Sequence, residues 1–148
     1  MCKMESVNIF GATGYIASNY IKLYPECLIN SRDDYVPKSN NILYFISTVD
    51  NYNIFTNPHL DIDTNLTVLI NVLDNIKDKE NTTINFISSW FVYGDTDLPA
   101  KEESYCNPKG FYSITKRAAE QLLISYCETF KIKYRILRLA NVVGGEDK

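Results

Sequence analysis

Five short apolar runs, separated by turns and by longer stretches with helical spacing, constrain this chain more than any other feature. The runs are "VNIF" (7–10), "CLIN" (27–30), "ILYFIS" (42–47), "TINFIS" (83–88) and "YRILRLA" (134–140). Between them lie "YIASNYIKLY" (15–24), "IDTNLTVLINVLDNIKD" (62–78) and the segment 110–130, all with amphipathic helical character. Parallel strands need long crossover connections, and helices serve as those crossovers, so the alternation predicts an α/β fold with a parallel sheet. Ile62, Leu66, Leu69, Ile70, Leu73 and Ile76 keep the spacing of one helical face, as do Ala118, Leu122 and Tyr126. Both stripes are expected to pack on the core.

The 148 residues suit one domain, 1–148, and the polar tail "GGEDK" directly after the last strand leaves no run for a second one. A formal charge of -3, with no Lys/Arg cluster, supplies no field for nucleic acid or for an anionic membrane surface. The longest strongly apolar run, "ILYFISTV", is far short of the roughly 18 residues a spanning helix needs. Small molecules or another protein are the expected partners. Cys2, Cys27, Cys106 and Cys127 form no CxxC pair, and His59 is the single histidine, so no metal site is expected. The thiols read as reduced cysteines of a cytoplasmic protein, and "MCKMESVNIF" has no apolar core of a signal peptide.

The first strand runs straight into "GATGYIAS", which places Gly11, Gly14 and Ala17 three residues apart at the start of a helix. Glycine is needed where φ is positive or where the backbone must approach a pyrophosphate, and the helix N-terminus offers free N–H groups to that anion. A tight βα turn without a ligand is the other reading of the same residues. On the first reading, Gly11, Thr13, Gly14, Tyr15 and Ile16 hold a dinucleotide, with Ser47 and Thr48 after the strand 42–47 completing the set. The end of the second strand decides the adenosine ribose: an acid there accepts from the 2'-hydroxyl of NAD, whereas an arginine pairs with the 2'-phosphate of NADP. Asn30, Ser31 and Arg32 stand there, which favours NADP, while Asp33 and Asp34 keep NAD open.

"FYSITKRAAEQLLISYC" puts Tyr112 and Lys116 four positions apart on the later helix. Side chains at that spacing stand over one another, and an ammonium beside a phenol pulls its pKa down from about 10. Tyr112 and Lys116 are then either solvated neighbours or a reacting pair.

Together with "INFISSWFVYG" and "LRLANVVGG", the segments "GATGYIA" and "YSITK" resemble the extended short-chain dehydrogenase/reductase family, the NAD(P)-dependent epimerases and dehydratases that act on nucleotide sugars. The resemblance runs from Val7 to Gly145. It implies that Ser89, Tyr112 and Lys116 are the catalytic set: Ser89 bonds the substrate oxygen, Tyr112 exchanges its proton, and Lys116 lowers the Tyr112 pKa and holds the nicotinamide ribose. Asn141 matches a residue that contacts the substrate diphosphate, and Ser89 and Trp90 would border the substrate. Dehydratases of the family carry an Asp-Glu pair where this chain has Trp90 and Phe91, so 4-epimerisation or keto reduction is expected instead. The two aromatics are then walls of the pocket or part of the core. Only eleven residues separate "CLIN" from "ILYFIS", too few for the family's usual helix and third strand. A reduced Rossmann-like, doubly wound sheet is implied, with order 2-1-4-5-6 in the family's count and without a separate substrate domain. Family members pair through helices matching 62–78 and 110–130, so a homodimer is expected, acting on a nucleotide sugar. A non-catalytic NAD(P)-binding sensor or accessory subunit is the alternative.

Overall fold

The computed structural model describes residues 6–144, so Cys2 and the end of the resemblance at Gly145 lie outside the described residues. Five parallel strands form one sheet: β1 (Val7–Phe10), β2 (Leu28–Ile29), β3 (Asn41–Tyr44), β4 (Thr83–Ser89) and β5 (Lys133–Leu139). Their order is β2-β1-β3-β4-β5, which is the expected order once the strand missing between β2 and β3 is left uncounted. The register pairs Asn8 with Leu28 on one side of β1 and with Ile42 on the other. Polarity of connection therefore switches at β1, between the β2 side and the β3 side, and such a switch opens a crevice at the carboxyl ends of the strands.

Strand edges fall within a few residues of expectation; β2 keeps only Leu28 and Ile29, and β3 stops at Tyr44 where its pairing ends. The connection from β2 to β3 has no helix and is held by side chains instead. Asn8, wholly buried in β1, donates to the Leu28 carbonyl at 3.1 Å and to Asn30 Oδ1 at 2.6 Å, while its own oxygen accepts from Lys38 N–H at 2.7 Å. Asn30 in turn donates to the carbonyls of Asp34 and Val36. These bonds satisfy backbone groups that a helix would otherwise satisfy internally.

Helix α1 (Tyr15–Leu23) covers one face, where Tyr20 meets Phe45 with ring centroids 6.4 Å apart. The opposite face carries the main core, in which Phe10, Tyr44, Phe86, Leu73 and Leu123 are fully buried. Over it lie α2 (His59–Ile62), a π-helical turn (Asp63–Thr67), α3 (Val68–Asp74) and α4 (Phe111–Phe130).

Both apolar stripes need correction. Ile62 is 39% exposed, and Asp61 and Asn65 are buried in its stead; the rest of the stripe holds, with Leu66 and Ile70 packed against the core and Leu69, Leu73 and Ile76 buried in it. The π-helical turn, with one extra residue, rotates the early part of the helix away from the periodicity read off α3. On α4 the residues in the apolar core are Ala119, Leu123 and Cys127, one position on from the expected Ala118, Leu122 and Tyr126, of which Tyr126 packs against that core. That rotation is what encloses Tyr112, Lys116 and Glu120. No helix among the described residues is long and apolar enough to cross a membrane.

Candidate active site

Gly11 has φ +85°, and a Cβ there would meet Ile46 N at 2.9 Å, so no other residue lets the first turn pass this close to the chain after β3. Gly14 differs: it is exposed, and its Cβ would meet only the Gly11 carbonyl, at 3.4 Å. The bareness of Gly14 is thus not demanded by the protein's own packing. Gly14 is also the N-cap of α1; no side chain caps that end, and no acid stands in its first turn. The first N–H groups of the helix remain open beside Thr13 and Tyr15, both exposed, while Ala17 is buried where helix and strand pack closely. The turn therefore fits a dinucleotide's pyrophosphate, with Gly11, Thr13, Gly14, Tyr15 and Ile16 around it.

At the end of β2 the expected residues separate. Asn30 is buried and its amide is committed to Asn8, Asp34 and Val36, so it shapes the loop and has no donor left for a ribose. Ser31 and Arg32 are exposed, and Arg32 has no ion-pair partner among the described residues.

Ser89 ends β4 and caps the following 3-10 turn (Trp90–Val92), its oxygen accepting from Phe91 N–H at 3.2 Å. Tyr112 lies in the first turn of α4, 8% exposed. Burial raises the Tyr112 pKa, hydrogen bonding from Ser47 and Ser89 lowers it, and the charge of Asp61 raises it, leaving the phenol above its ordinary value. Ser47, three residues past β3, and Ser89, at the end of β4, thus both lie by Tyr112. Lys116 is buried as well, but its ammonium donates to the Ile87 carbonyl at 2.8 Å and sits 4.4 Å from the Phe86 ring centroid. Burial lowers its pKa to about 7 against an upward pull from Glu120. The downward pull on Tyr112 comes from the two serines, not from Lys116.

Thr48 is part of the scaffold beneath Tyr112. Its N–H donates to Asn65 Oδ1 at 2.9 Å and its hydroxyl to Asp61; Asn65 Nδ2 donates to both Thr48 and Thr115 hydroxyls at 2.9 Å. Thr115 in turn donates to the Tyr112 carbonyl. A second support is Asn51, whose oxygen accepts from the Ser113 N–H at 3.3 Å and packs against Gly110 so closely that any Cβ there would collide with it. The sequence reading missed Asn51, Asp61, Asn65 and Thr115. Asn65 and Asp61 carried one legible signal, polar residues four apart on a helix that was read as apolar on another face.

Trp90 and Phe91 lie outside the core. They are 43% and 40% exposed, stacked with centroids 4.6 Å apart, and Phe91 meets the Tyr112 ring edge-on at 6.2 Å and 87°. Asn141 accepts a hydrogen bond from Trp90 Nε1 at 3.1 Å. The loop 94–108 is pinned at its base, where Asn107 N–H donates to the Tyr93 carbonyl at 2.9 Å. Its later part borders a recess of about 690 Å³ with Ile114, Arg117 and Gln121, on the side of α4 turned away from Tyr112.

A five-stranded parallel sheet with a glycine turn opening its first helix defines a Rossmann-like α/β domain. Residues 38–148 match the NAD dependent epimerase/dehydratase family, and the chain belongs to that family. A putative UDP-glucose 4-epimerase of Methanocaldococcus jannaschii is 31% identical over 105 residues, 70% of this chain and 34% of the relative. RMD from Pseudomonas aeruginosa complexed with NADPH superposes with a TM-score of 0.82 at 20% identity, covering 97% of this chain and 55% of that one. UDP-glucose 4-epimerase from Brucella ovis in complex with NAD does so with 0.80 at 20% identity, covering 95% and 53%. The chain spans about a third of the length of the curated relative and about half of the solved chains.

Proposed function

We propose that this domain is an NAD(P)-dependent oxidoreductase or 4-epimerase of nucleotide sugars. The observation that carries the reading is the convergence of Ser89 and Tyr112, from β4 and α4, at the carboxyl edge of the sheet that also holds the open glycine turn. When bound, the nicotinamide cofactor supplies hydride transfer to or from the carbinol carbon. Ser89 hydrogen-bonds the substrate oxygen, and Tyr112, held protonated at neutral pH by burial, gives that oxygen its proton as the ketone is reduced. Lys116 lies one turn deeper, where its ammonium is bonded to the Ile87 carbonyl rather than to the phenol. Elimination of water is disfavoured because Trp90 and Phe91 can neither donate nor accept the required proton. The names of the matched relatives support a nucleotide sugar as substrate.

The free Arg32 guanidinium beside β2 supports NADP over NAD. A cofactor-binding sensor is the second reading, favoured by the engagement of Lys116 with Ile87 rather than with Tyr112.

Calorimetric titration with NADPH, NADP, NADH and NAD is the first test. Micromolar affinity for either pair is expected, with Arg32→Ala weakening NADPH more than NADH; absence of binding at millimolar concentration rejects the oxidoreductase reading. Tyr112→Phe then separates the two readings. It is expected to lower turnover of UDP-hexoses by about 10²- to 10⁴-fold with cofactor affinity unchanged, whereas a sensor loses nothing.

A further inference from the structure

Trp90 and Phe91 are two large aromatic residues left two-fifths exposed at the edge of the sheet where doubly wound folds take their ligands. Exposure alone is ordinary for single apolar residues, but this pair is fixed in place. The rings stack on each other at 4.6 Å and 21°, the turn beneath them is capped by Ser89, and the indole N–H is tethered to Asn141. Phe91 abuts the Tyr112 ring, so whatever lies on the pair lies beside the phenol. A rigid aromatic surface with its polar handle already satisfied offers a ligand little but its π faces and edges.

We propose that Trp90 and Phe91 form a stacking platform for the pyranose ring of the substrate, and so determine specificity for a hexosyl group. A hexopyranose carries hydroxyls around its rim and clusters C–H bonds on one face; those hydrogens are weakly positive and suit the negative face of an aromatic ring. The platform orients the sugar without using a hydroxyl, which leaves the reacting oxygen to Ser89 and Tyr112. This inference rests on the nucleotide-sugar reading and adds the group that recognises the sugar.

Trp90 is the chain's single tryptophan, so its fluorescence reports on this spot alone. The experiment titrates the full chain, saturated with whichever of NADP and NAD it binds more tightly, with UDP-glucose, UDP-galactose and UDP, following emission, with calorimetry in parallel. Both UDP-hexoses are expected to shift or quench the emission and UDP to leave it unchanged. By calorimetry, Trp90→Ala is expected to weaken UDP-hexose binding about tenfold, with cofactor affinity intact, and Trp90→Phe to retain most of it. An equal response to UDP alone, or a change produced by the cofactor to which the sugars add nothing, assigns the platform to a base or to the nicotinamide and overturns the proposal. Binding of UDP-hexoses with no change in emission and no loss in Trp90→Ala overturns it while leaving the cofactor reading intact. Failure of the wild type to bind NADP, NAD and the UDP-hexoses alike removes the nucleotide-sugar reading and the platform with it.

Discussion

Lys116 and Glu120 stand one turn apart on α4, both out of solvent, and their surroundings treat them differently. Burial pushes the Glu120 carboxyl up, but hydrogen bonds from Arg138, Ser88 and Arg117, with the charge of Arg138, outweigh it and hold the carboxyl below its usual range. Arg117 and Arg138 approach Glu120 Oε2 at 2.7 and 2.9 Å, and Ser88 donates to Oε1 at 2.6 Å. Lys116, with one carbonyl and an aromatic face as partners, has too little to offset desolvation, and its pKa falls to about 7. An unfolded lysine titrates near 10.4. Between these values the unfolded chain binds more protons than the folded one, so Lys116 makes stability rise with pH across that window, and its full penalty is felt below it. Urea denaturation of the wild type should therefore show about 2 kcal/mol more stability at pH 9 than at pH 7 from this group. Lys116→Met should abolish that increment; an unchanged pH slope in the variant would show that Lys116 is not the group responsible.

Among the elements, the stretch from α2 through the π-helical turn decides how the candidate site is supported. Its early turns present Asp61 and Asn65 inward, to Thr48 and Thr115, where an uninterrupted periodicity would have presented Ile62. Asp61 carries a buried oxygen, Oδ2, without a hydrogen-bond partner among the described residues. Two substitutions test this orientation by thermal or urea unfolding. Ile62→Lys should change stability by no more than about 0.5 kcal/mol, as expected of a surface residue. Asn65→Leu, close in volume, should lower it by about 2 to 3 kcal/mol, because it strands the buried Thr48 N–H and takes one donor from each of the two threonine hydroxyls. The opposite pattern would mean that the helix faces the core as its apolar spacing suggests.

For the whole molecule, the apolar residues that α4 turns outward, Ile114 and Leu122, are the surface on which a second copy is expected to pair with this chain. Light scattering at micromolar concentration should give twice the chain mass of 17.0 kDa, and Leu122→Glu should return it to one; a single-chain mass for the wild type rejects the dimer. The strands and helices, the glycine turn and the Tyr112–Lys116 spacing were legible in the sequence, because each rests on local periodicity or on the backbone freedom of one or two residues; the strand order came from the family resemblance. Arg32 and the open Gly14 were legible for the same reason. What residues far apart in the chain do to one another was not. Asn51 caps a helix whose capped residue is Ser113, Asn30 answers to Asn8 across the sheet, and Lys116 finds the Ile87 carbonyl instead of the phenol on its own helix. The core face of α3 was legible, but Ile62 before it fell outside the core and the core face of α4 lay one position on, where a buried polar network claims the positions it must enclose. The sequence by itself determined which elements form and in what order, through short-range sterics and hydrophobic pattern. Only the tertiary structure decided which side chains meet at the sheet's edge, because burial and hydrogen-bond satisfaction are settled between elements, not within them.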